Sequence, residues 1–368
     1  MALTDIEAGR LADNVFNVVG ANRNLIINGA MQVAQRGTQV TGVSTSGYRT
    51  VDRFKINFTS LGTWTIDQAT DAPAGFTKSF KATCTTADAS PAASDSALMV
   101  YQPEAQDLQL LDFGASGAKS ITLSFWVKSN KTGAATIAVL QTDNSNKLVS
   151  FAYSISSANT WEQKTITIPG DTAGVINDDN GAGLQFEWWL NSGSDNTAGS
   201  HRATWTTFAQ GDRNPSNLGV GGATSDYFAI TGVQLEVGSV ATPFEHRTYG
   251  DELTRCERYF EIIRASGEVC MGYSYDSTHG IAPIRFRTVK RDAPGSITLG
   301  TAGQTAGTIS FLTPAGSYPG TTGSHAVQVI TTDGFRVSGS SYVGLTAERV
   351  SPFYANGNTI IAKVDAEL

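Results

Sequence analysis

Apolar residues alternate with polar ones in short runs along most of this chain. In "SITLSFWVKS", Ile121, Leu123, Phe125 and Val127 point to one side, and Thr122, Ser124, Trp126 and Lys128 to the other. In "LQFEWWLN", Leu184, Phe186, Trp188 and Leu190 share one face, while Gln185, Glu187, Trp189 and Asn191 share the opposite one. Similar runs are "FKINF", "TWTID", "KSFKATC", "SALMVYQ", "TIAVLQT", "LVSFAYSI", "EQKTITIP", "RATWTTF" and "DYFAITGVQLEV". Each is short and bounded by turn residues. About ten such strands over roughly 200 residues predict a two-sheet sandwich of jelly-roll type.

Two stretches read as helix instead. In residues 3–19, Thr4 and Glu7 have capping-box spacing, and Ile6, Leu11, Val15, Phe16, Val18 and Val19 supply the apolar side. Near 250–263, Leu253, Cys256, Phe260 and Ile263 recur at i, i+3, i+7 and i+10, one helical face. Short helices are marginal alone, so both apolar sides are expected to meet another surface. That surface lies in the same chain, in a sister copy or in a neighbouring protein. From Glu268 onward a second β region follows, with Gly/Ser/Thr-rich loops. The predicted organisation is a helix over 1–20, an arm over 21–47, a jelly-roll sandwich over 48–247, a connecting helix over 248–266 and a sandwich-like β domain over 267–368. No repeat of 20–50 residues marks a solenoid.

Composition narrows the function. A chain of 368 residues suits two cores better than one. Charged residues make up 16%, below the usual quarter, and glycine is abundant at 38. The net charge of −7 and the lack of a Lys/Arg stripe argue against nucleic acid as a partner. No apolar run reaches the length of a membrane-spanning helix. The opening "MALTDIEAGRLADNVF" has acids early and no apolar core, unlike a secretory signal. Cys84, Cys256 and Cys270 are too scattered for a disulfide framework or a zinc site. They read as the reduced thiols of a chain made in a reducing cell.

Candidate chemistry is sparse. His201, His246, His279 and His325 stand in unrelated segments without a catalytic motif. Glycoside hydrolysis needs two carboxylates about 5–10 Å apart, and Glu187 beside Trp189 is the best single acid. Its plain alternative is a solvated strand acid. "NDDNGAG" (177–183) has calcium-loop composition but neither EF-hand spacing nor the closing Glu, so it reads as a turn. No metal or other cofactor is expected. Aromatic residues say more. Trp126 and Trp189 lie opposite their strands' apolar faces. An outward tryptophan beside Gln185, Glu187 and Asn191 has the ingredients of a sugar site: a ring face for C–H groups, with amides and a carboxylate for hydroxyls. The alternative is that these tryptophans line a second core surface or a contact between copies. Tyr318 and Tyr342, in glycine-rich loops, are further candidate contacts.

Several of these stretches also carry a resemblance. "NLIINGAMQVAQRGT…YRTVDRF" (24–54), "WEQKTITIPG" (161–170) and "FAITGVQLEVGSVATPFEHRTYGDELTRCERYFE" (228–261) resemble a domain of bacteriophage tail fibre and tail-tip proteins, many of them from marine and cyanobacterial phages. "PIRFRTVKRDAPG" (283–295) and "AKVDAEL" (362–368) resemble the distal β domain that often follows. The first domain is similar to jelly-roll carbohydrate-binding modules. Those modules often hold a structural calcium through an "I-D-D-V" run in the last strand. Here that run is Ile230, Thr231, Gly232, Val233, without the acids, so the calcium is not carried over. The resemblance implies a non-enzymatic homotrimer in the virion tail, made in the host cytoplasm. The N-terminal helix (Ile6, Val15, Phe16) would dock on a tail adaptor, nozzle or baseplate protein. The connecting helix (Leu253, Cys256, Phe260, Ile263) would lie at the trimer axis, and the ligand would be host cell-surface polysaccharide. The alternatives are a polysaccharide-degrading tailspike and another virion structural or decoration protein.

Overall fold

The structure is a computed structural model that describes residues 23–141, 143, 146–300, 309–311, 324–342 and 345–368. The helix expected at 3–19, with Ile6, Val15 and Phe16, lies outside the described residues, as does Tyr318. Two compact units divide between Glu252 and Leu253.

The first unit contains β1 (Gln39–Val43), β2 (Gly47–Tyr48), β3 (Phe54–Thr59), β4 (Thr63–Ala69), β5 (Ser79–Thr86), β6 (Ser96–Tyr101), β7 (Ile121–Ser129), β8 (Gly133–Gln141), β9 (Lys147–Ile155), β10 (Glu162–Ile168), β11 (Gln185–Ser192), β12 (Arg202–Thr207) and β13 (Tyr227–Val237). A one-turn helix, α1 (Ser194–Thr197), follows β11. Among the described residues the strands form a six-stranded sheet, β1-β4-β5-β13-β7-β10, and a seven-stranded sheet, β12-β9-β8-β11-β6-β3-β2. Each ladder is antiparallel. The predicted alternation holds: Ile121, Leu123, Phe125 and Val127 from one sheet meet Phe186, Trp188 and Leu190 from the other in a single core. Phe125 packs edge-on against Trp188, with ring centroids 5.8 Å apart.

The stretch read as an arm is instead part of this sandwich. Ile26, Met31 and Val33 are buried, and β1 and β2 each extend a sheet. Its buried residues Ile26, Met31 and Val33 stand in coil and turn before β1, where no strand or helix period marks them. The chain also comes into and leaves the sandwich at one place. Arg247 donates to the carbonyls of Ile26 and Asn24 and pairs with Glu252 at 3.0 Å. The Glu245 carboxylate accepts from the Asn24 N–H (2.6 Å) and from Arg247 (3.2 Å). Asn28 N–H donates to Glu252.

A further departure follows Glu257. The helix α2 spans Tyr249–Glu257, opened by Thr248, whose hydroxyl accepts from Asp251 N–H. Phe260 and Ile263, expected on that helix, instead begin strand β14 (Phe260–Ser274). There Phe260 and Ile262 share one face, and Ile263 joins the core on the other. The run "YFEIIRASGEVCMGYSY" is β-branched and alternating, and sheet pairing overrode the coincidental helical spacing.

The second unit adds β15 (Gly280–Arg285), β16 (Ser296–Leu299), β17 (Ile309–Phe311), β18 (Ser324–Gln328), β19 (Gly334–Ser340) and β20 (Arg349–Asp365). They make one antiparallel sheet, β16-β20-β14-β15-β19-β18, with β17 also on β20. Repeated bulges in the β14–β20 ladder bend both long strands. This lets the sheet enclose a core of Ile284, Phe335, Val337, Phe353, Ile361 and Val364.

Candidate functional site

The residues proposed as a sugar platform do not meet on one surface. Trp126 is on β7 of the six-stranded sheet, whereas Gln185, Glu187, Trp189 and Asn191 are on β11 of the other. Trp126 lies half-buried against Gly232, as does Phe76: a Cβ added there would sit 2.6 Å from Phe76 and 2.9 Å from Trp126. Gly232 has φ +59, at a bulge between Thr231 and Gln234. The run that matches "I-D-D-V" therefore carries a bulge roofed by two aromatic rings. Phe76 in turn packs on Phe244 and His246, with centroids 4.9 and 5.4 Å away.

Trp189 and Glu187 keep the predicted orientation but are fully buried, which corrects the expectation of an open ring face. The chain after β12 folds back over them. Arg213 grips Glu187 with both arms, at 2.5 and 3.1 Å, and its guanidinium lies 4.8 Å from the Trp189 ring. Gln185 and the Trp189 N–H donate to the same carboxylate at 2.5 and 3.2 Å. Phe208 packs on the apolar cluster that Trp189 forms with Leu98, Val100, Leu140 and Leu148. A carboxylate held bidentate and sealed from solvent has no access to a glycosidic oxygen, so Glu187 is a structural ion pair here. Gln102 extends the row, bridging Gln185 and Lys55 at 2.9 Å each.

Asn191 falls elsewhere, in an open cleft of about 530 Å³ at the end of β11. This is within the size range of small-ligand sites. Its walls come from four separate loops: 88–91, Lys131, 191–197 and 217–223. Asn217 fixes the corner, donating to Asn191 Oδ1 at 2.9 Å and to the Ser192 carbonyl at 3.0 Å. Asn214 donates to Ser192 Oγ at 2.8 Å. Gly221 (φ +99) sits on the Trp64 ring, where any side chain would collide. Ser194 and Thr197 also line the cleft. Of its lining the sequence pointed only to Asn191; the other residues come from segments far apart along the chain.

Asp226 braces this cleft from behind. Its carboxylate accepts from Gly221 N–H (3.1 Å), Ala223 N–H (3.0 Å) and Asn130 Nδ2 (3.0 Å), and Lys131 lies 3.5 Å away. Burial alone would raise its pKa, but these hydrogen bonds and Lys131 outweigh that and hold it below the ordinary aspartate value. A depressed carboxyl contributes stability that is complete above the unfolded value, near 4, and is lost as pH falls through the lower folded value. The urea midpoint of the wild-type chain is therefore expected to fall below about pH 4 more steeply than that of Asp226→Asn. Parallel pH profiles would contradict the brace.

Of the other candidates, Tyr342 is buried, and its hydroxyl is bonded to His325 rather than open to a ligand. Burial pushes its pKa well above the usual tyrosine value. A glycine-rich neighbourhood made this loop look exposed, but the Tyr342 ring lies over Gly339. Cys256, Phe260 and Ile263 are buried in their own chain and Leu253 is half-buried, so they offer no free apolar face to another copy. The 177–183 segment is a turn in which Asp179 accepts from Gly181 N–H at 2.7 Å.

No family profile and no curated protein matches this chain. Among solved structures, it is similar to the enzymatically active domain of tailspike protein 4 from bacteriophage CBA120: 13% identity, TM-score 0.31, covering 58% of this chain and 21% of that one. It is also similar to a family 11 carbohydrate-binding module from a Clostridium thermocellum cellulosomal cellulase (11%, 0.27, 60% and 97%). A third similarity is to a xylan-binding module of Paenibacillus barcinonensis (10%, 0.28, 60% and 100%). The chain thus spans about a fifth of the tailspike chain it matches. These scores are low, and the sandwich assignment rests on the strand order given above.

Proposed function

We propose that this chain is a glycan-binding, non-enzymatic component of a bacteriophage tail fibre. The observation that carries glycan binding is the open cleft beside Asn191, where asparagine, serine and threonine residues meet Asp88 and Lys131 within loops held by hydrogen bonds. Neutral hydroxyl-rich ligands need such convergent donors and acceptors. The low charge of the chain accords with a neutral polymer as ligand. The phage assignment is supported by the sequence resemblance alone. On that reading three copies assemble, the N-terminal segment docks on a tail adaptor, nozzle or baseplate protein, and host-surface polysaccharide is the ligand. The connecting helix is shorter than expected and buries Cys256, leaving Leu253 half-buried and Tyr249 exposed. Light scattering checks the trimer directly: a mass of three times 38.9 kDa is expected.

Filling the cleft tests the binding site. Ser194 is exposed at its rim, so Ser194→Trp is expected to keep the fold and block the space. Affinity electrophoresis in gels containing a mixed-linkage β-glucan, a β-mannan or dextran is expected to show retardation of the wild-type chain. The variant is expected to bind roughly tenfold more weakly, the equivalent of losing one or two good hydrogen bonds. Equal retardation of both proteins would remove the cleft from the reading. Release of reducing ends from a retarding polymer would overturn the non-enzymatic assignment.

A further inference from the structure

The end of β14 reverses the usual pattern of a half-buried strand. Its inward positions are small, Gly272 and Ser274, and both are buried. Its outward positions are large, with Met271 55% and Tyr273 39% exposed, and Tyr275, the residue after the strand's end, is 46% exposed. Val350, the β20 partner of Tyr273, is 65% exposed. Strands facing water on one side normally put large apolar residues inward, and contiguous exposed ones mark a surface that binds something.

The tip of the hairpin between β14 and β15 is fixed. The Asp276 carboxylate accepts from Thr278 N–H (2.6 Å), the Thr278 hydroxyl (3.0 Å), His279 N–H (2.7 Å) and His279 Nδ1–H (2.8 Å). Those donors, the Thr278 N–H foremost, hold its pKa below the ordinary aspartate value. The Thr278 carbonyl accepts from Tyr342 N–H at 3.0 Å, tying the tip to the body of the unit. His279 stacks on Tyr275, with centroids 5.6 Å apart and planes 21° off parallel. His279 bonds to Asp276 through Nδ1 and is partly exposed.

We propose that Met271, Tyr273 and Tyr275, backed by His279, form a stacking platform for a neutral polysaccharide, separate from the cleft of the first unit. Tyr273 lies on the outward face at the end of β14 and Tyr275 follows just beyond the strand, two residues on and also exposed. Aromatic faces take the axial C–H groups of a pyranose, while the phenol hydroxyls and His279 Nε2 meet its hydroxyls. Exposed Met271 and Val350 beside the rings make a second copy of the chain the competing occupant, which the mass measurement below tests.

The platform extends the glycan-binding reading to a second surface, and the experiment separates the two. The full chain is run in the same β-glucan, β-mannan and dextran gels as wild type, Ser194→Trp, Tyr275→Ser and Tyr273→Thr/Tyr275→Ser. These tyrosine positions are exposed, and threonine retains strand propensity. One ring removed is expected to weaken binding roughly fivefold and both about 25-fold. The effect is expected in the Ser194→Trp background too, which marks it as independent of the cleft. Tyr275→Phe, which keeps the ring, is expected to retain most of the affinity and serves if the double variant does not fold. The proposal is overturned by unchanged retardation of the double variant, or by absence of retardation of wild type in every gel. It is equally overturned if light scattering shows the double variant dissociating to a smaller mass, which would make this face a contact between copies.

Discussion

Lys290→Met is expected to destabilise the second unit by about 3–5 kcal/mol, seen as a urea midpoint lowered by one molar or more. Lys290 and Glu261 are both fully buried, with Nζ 2.6 Å from the carboxylate. Lys290 also donates to the Glu257 carbonyl and lies 4.8 Å from the Phe286 ring. Desolvation dominates at this lysine and lowers its pKa, although Glu261 pulls the other way. A pair whose burial cost rivals its attraction adds little net stability, yet losing one partner strands the other's charge in a dry site. Arg287 compensates only in part: its N–H reaches the Glu261 carboxylate at 3.3 Å, but its half-exposed guanidinium is 3.9 Å away and serves Glu257 at 2.9 Å. The sharper test is the double variant Lys290→Met/Glu261→Met. Two apolar side chains of similar length are expected to recover most of the loss. A double variant as unstable as the single one would show that the pair's geometry, not the stranded carboxylate, is what matters.

This pair also shows where the sequence stops being readable. Lys290 stands in "TVKRDAPG", a polar stretch that reads as a surface turn. Strands between Phe54 and Val237 were legible because alternation is a local signal and both sheets bury a whole face on one core. Coverage of the outer faces was not. Trp189 and Glu187 show the same alternation whether solvent or chain lies above them. What covers them is Phe208 and Arg213, from a segment without periodicity. The helical spacing of Phe260 and Ile263 misled for a related reason: a 3.6-residue face and a two-residue face share several positions over a short window. The cleft and the tyrosine platform differ again. Four loops build the cleft, so its residues converge only in space. Tyr273 and Tyr275 do alternate, but the outward side of a strand cannot be told from the inward side when its other residues are glycine and serine.

The sequence resemblance gains a physical content from the fold. Its segments 24–54 and 228–261 are far apart along the chain, yet they meet in one polar clamp. Asn24 illustrates the fit: its side-chain oxygen accepts from Ile26 and Leu235 N–H, and its amide donates to the Val233 carbonyl at 3.1 Å. Arg23 lies 3.5 Å from buried Glu236. Thr242 N–H and hydroxyl reach the same carboxylate at 2.8 and 2.6 Å. Asparagine, arginine and glutamate at these positions are therefore explained by where the chain enters and leaves the sandwich, without any ligand.

Arg247→Ala is expected to open that clamp at a cost of about 3–5 kcal/mol. The guanidinium is nearly buried and serves four acceptors: two backbone carbonyls, at Asn24 and Ile26, and two carboxylates, Glu245 and Glu252. Water cannot replace all four without breaking the packing of 23–28 against 242–247. Lysine keeps the charge but not the planar fork, so Arg247→Lys is expected to recover at most half of the loss. Hydrogen exchange locates the effect. Amides of Asn24, Asn28 and Thr242 are expected to lose protection, while those of β7 and β11 keep theirs, because the core between Phe125 and Trp188 does not involve the clamp. The topology gives this a mechanical meaning. A pull on the segment before Asn24 and on the chain beyond Arg247 loads these hydrogen bonds before any strand of the sandwich, so the sandwich stays unstrained while the clamp holds. Exchange rising evenly over β7, β11 and the clamp in Arg247→Ala would mean that the clamp and the core open as one, and the shielding argument would fail.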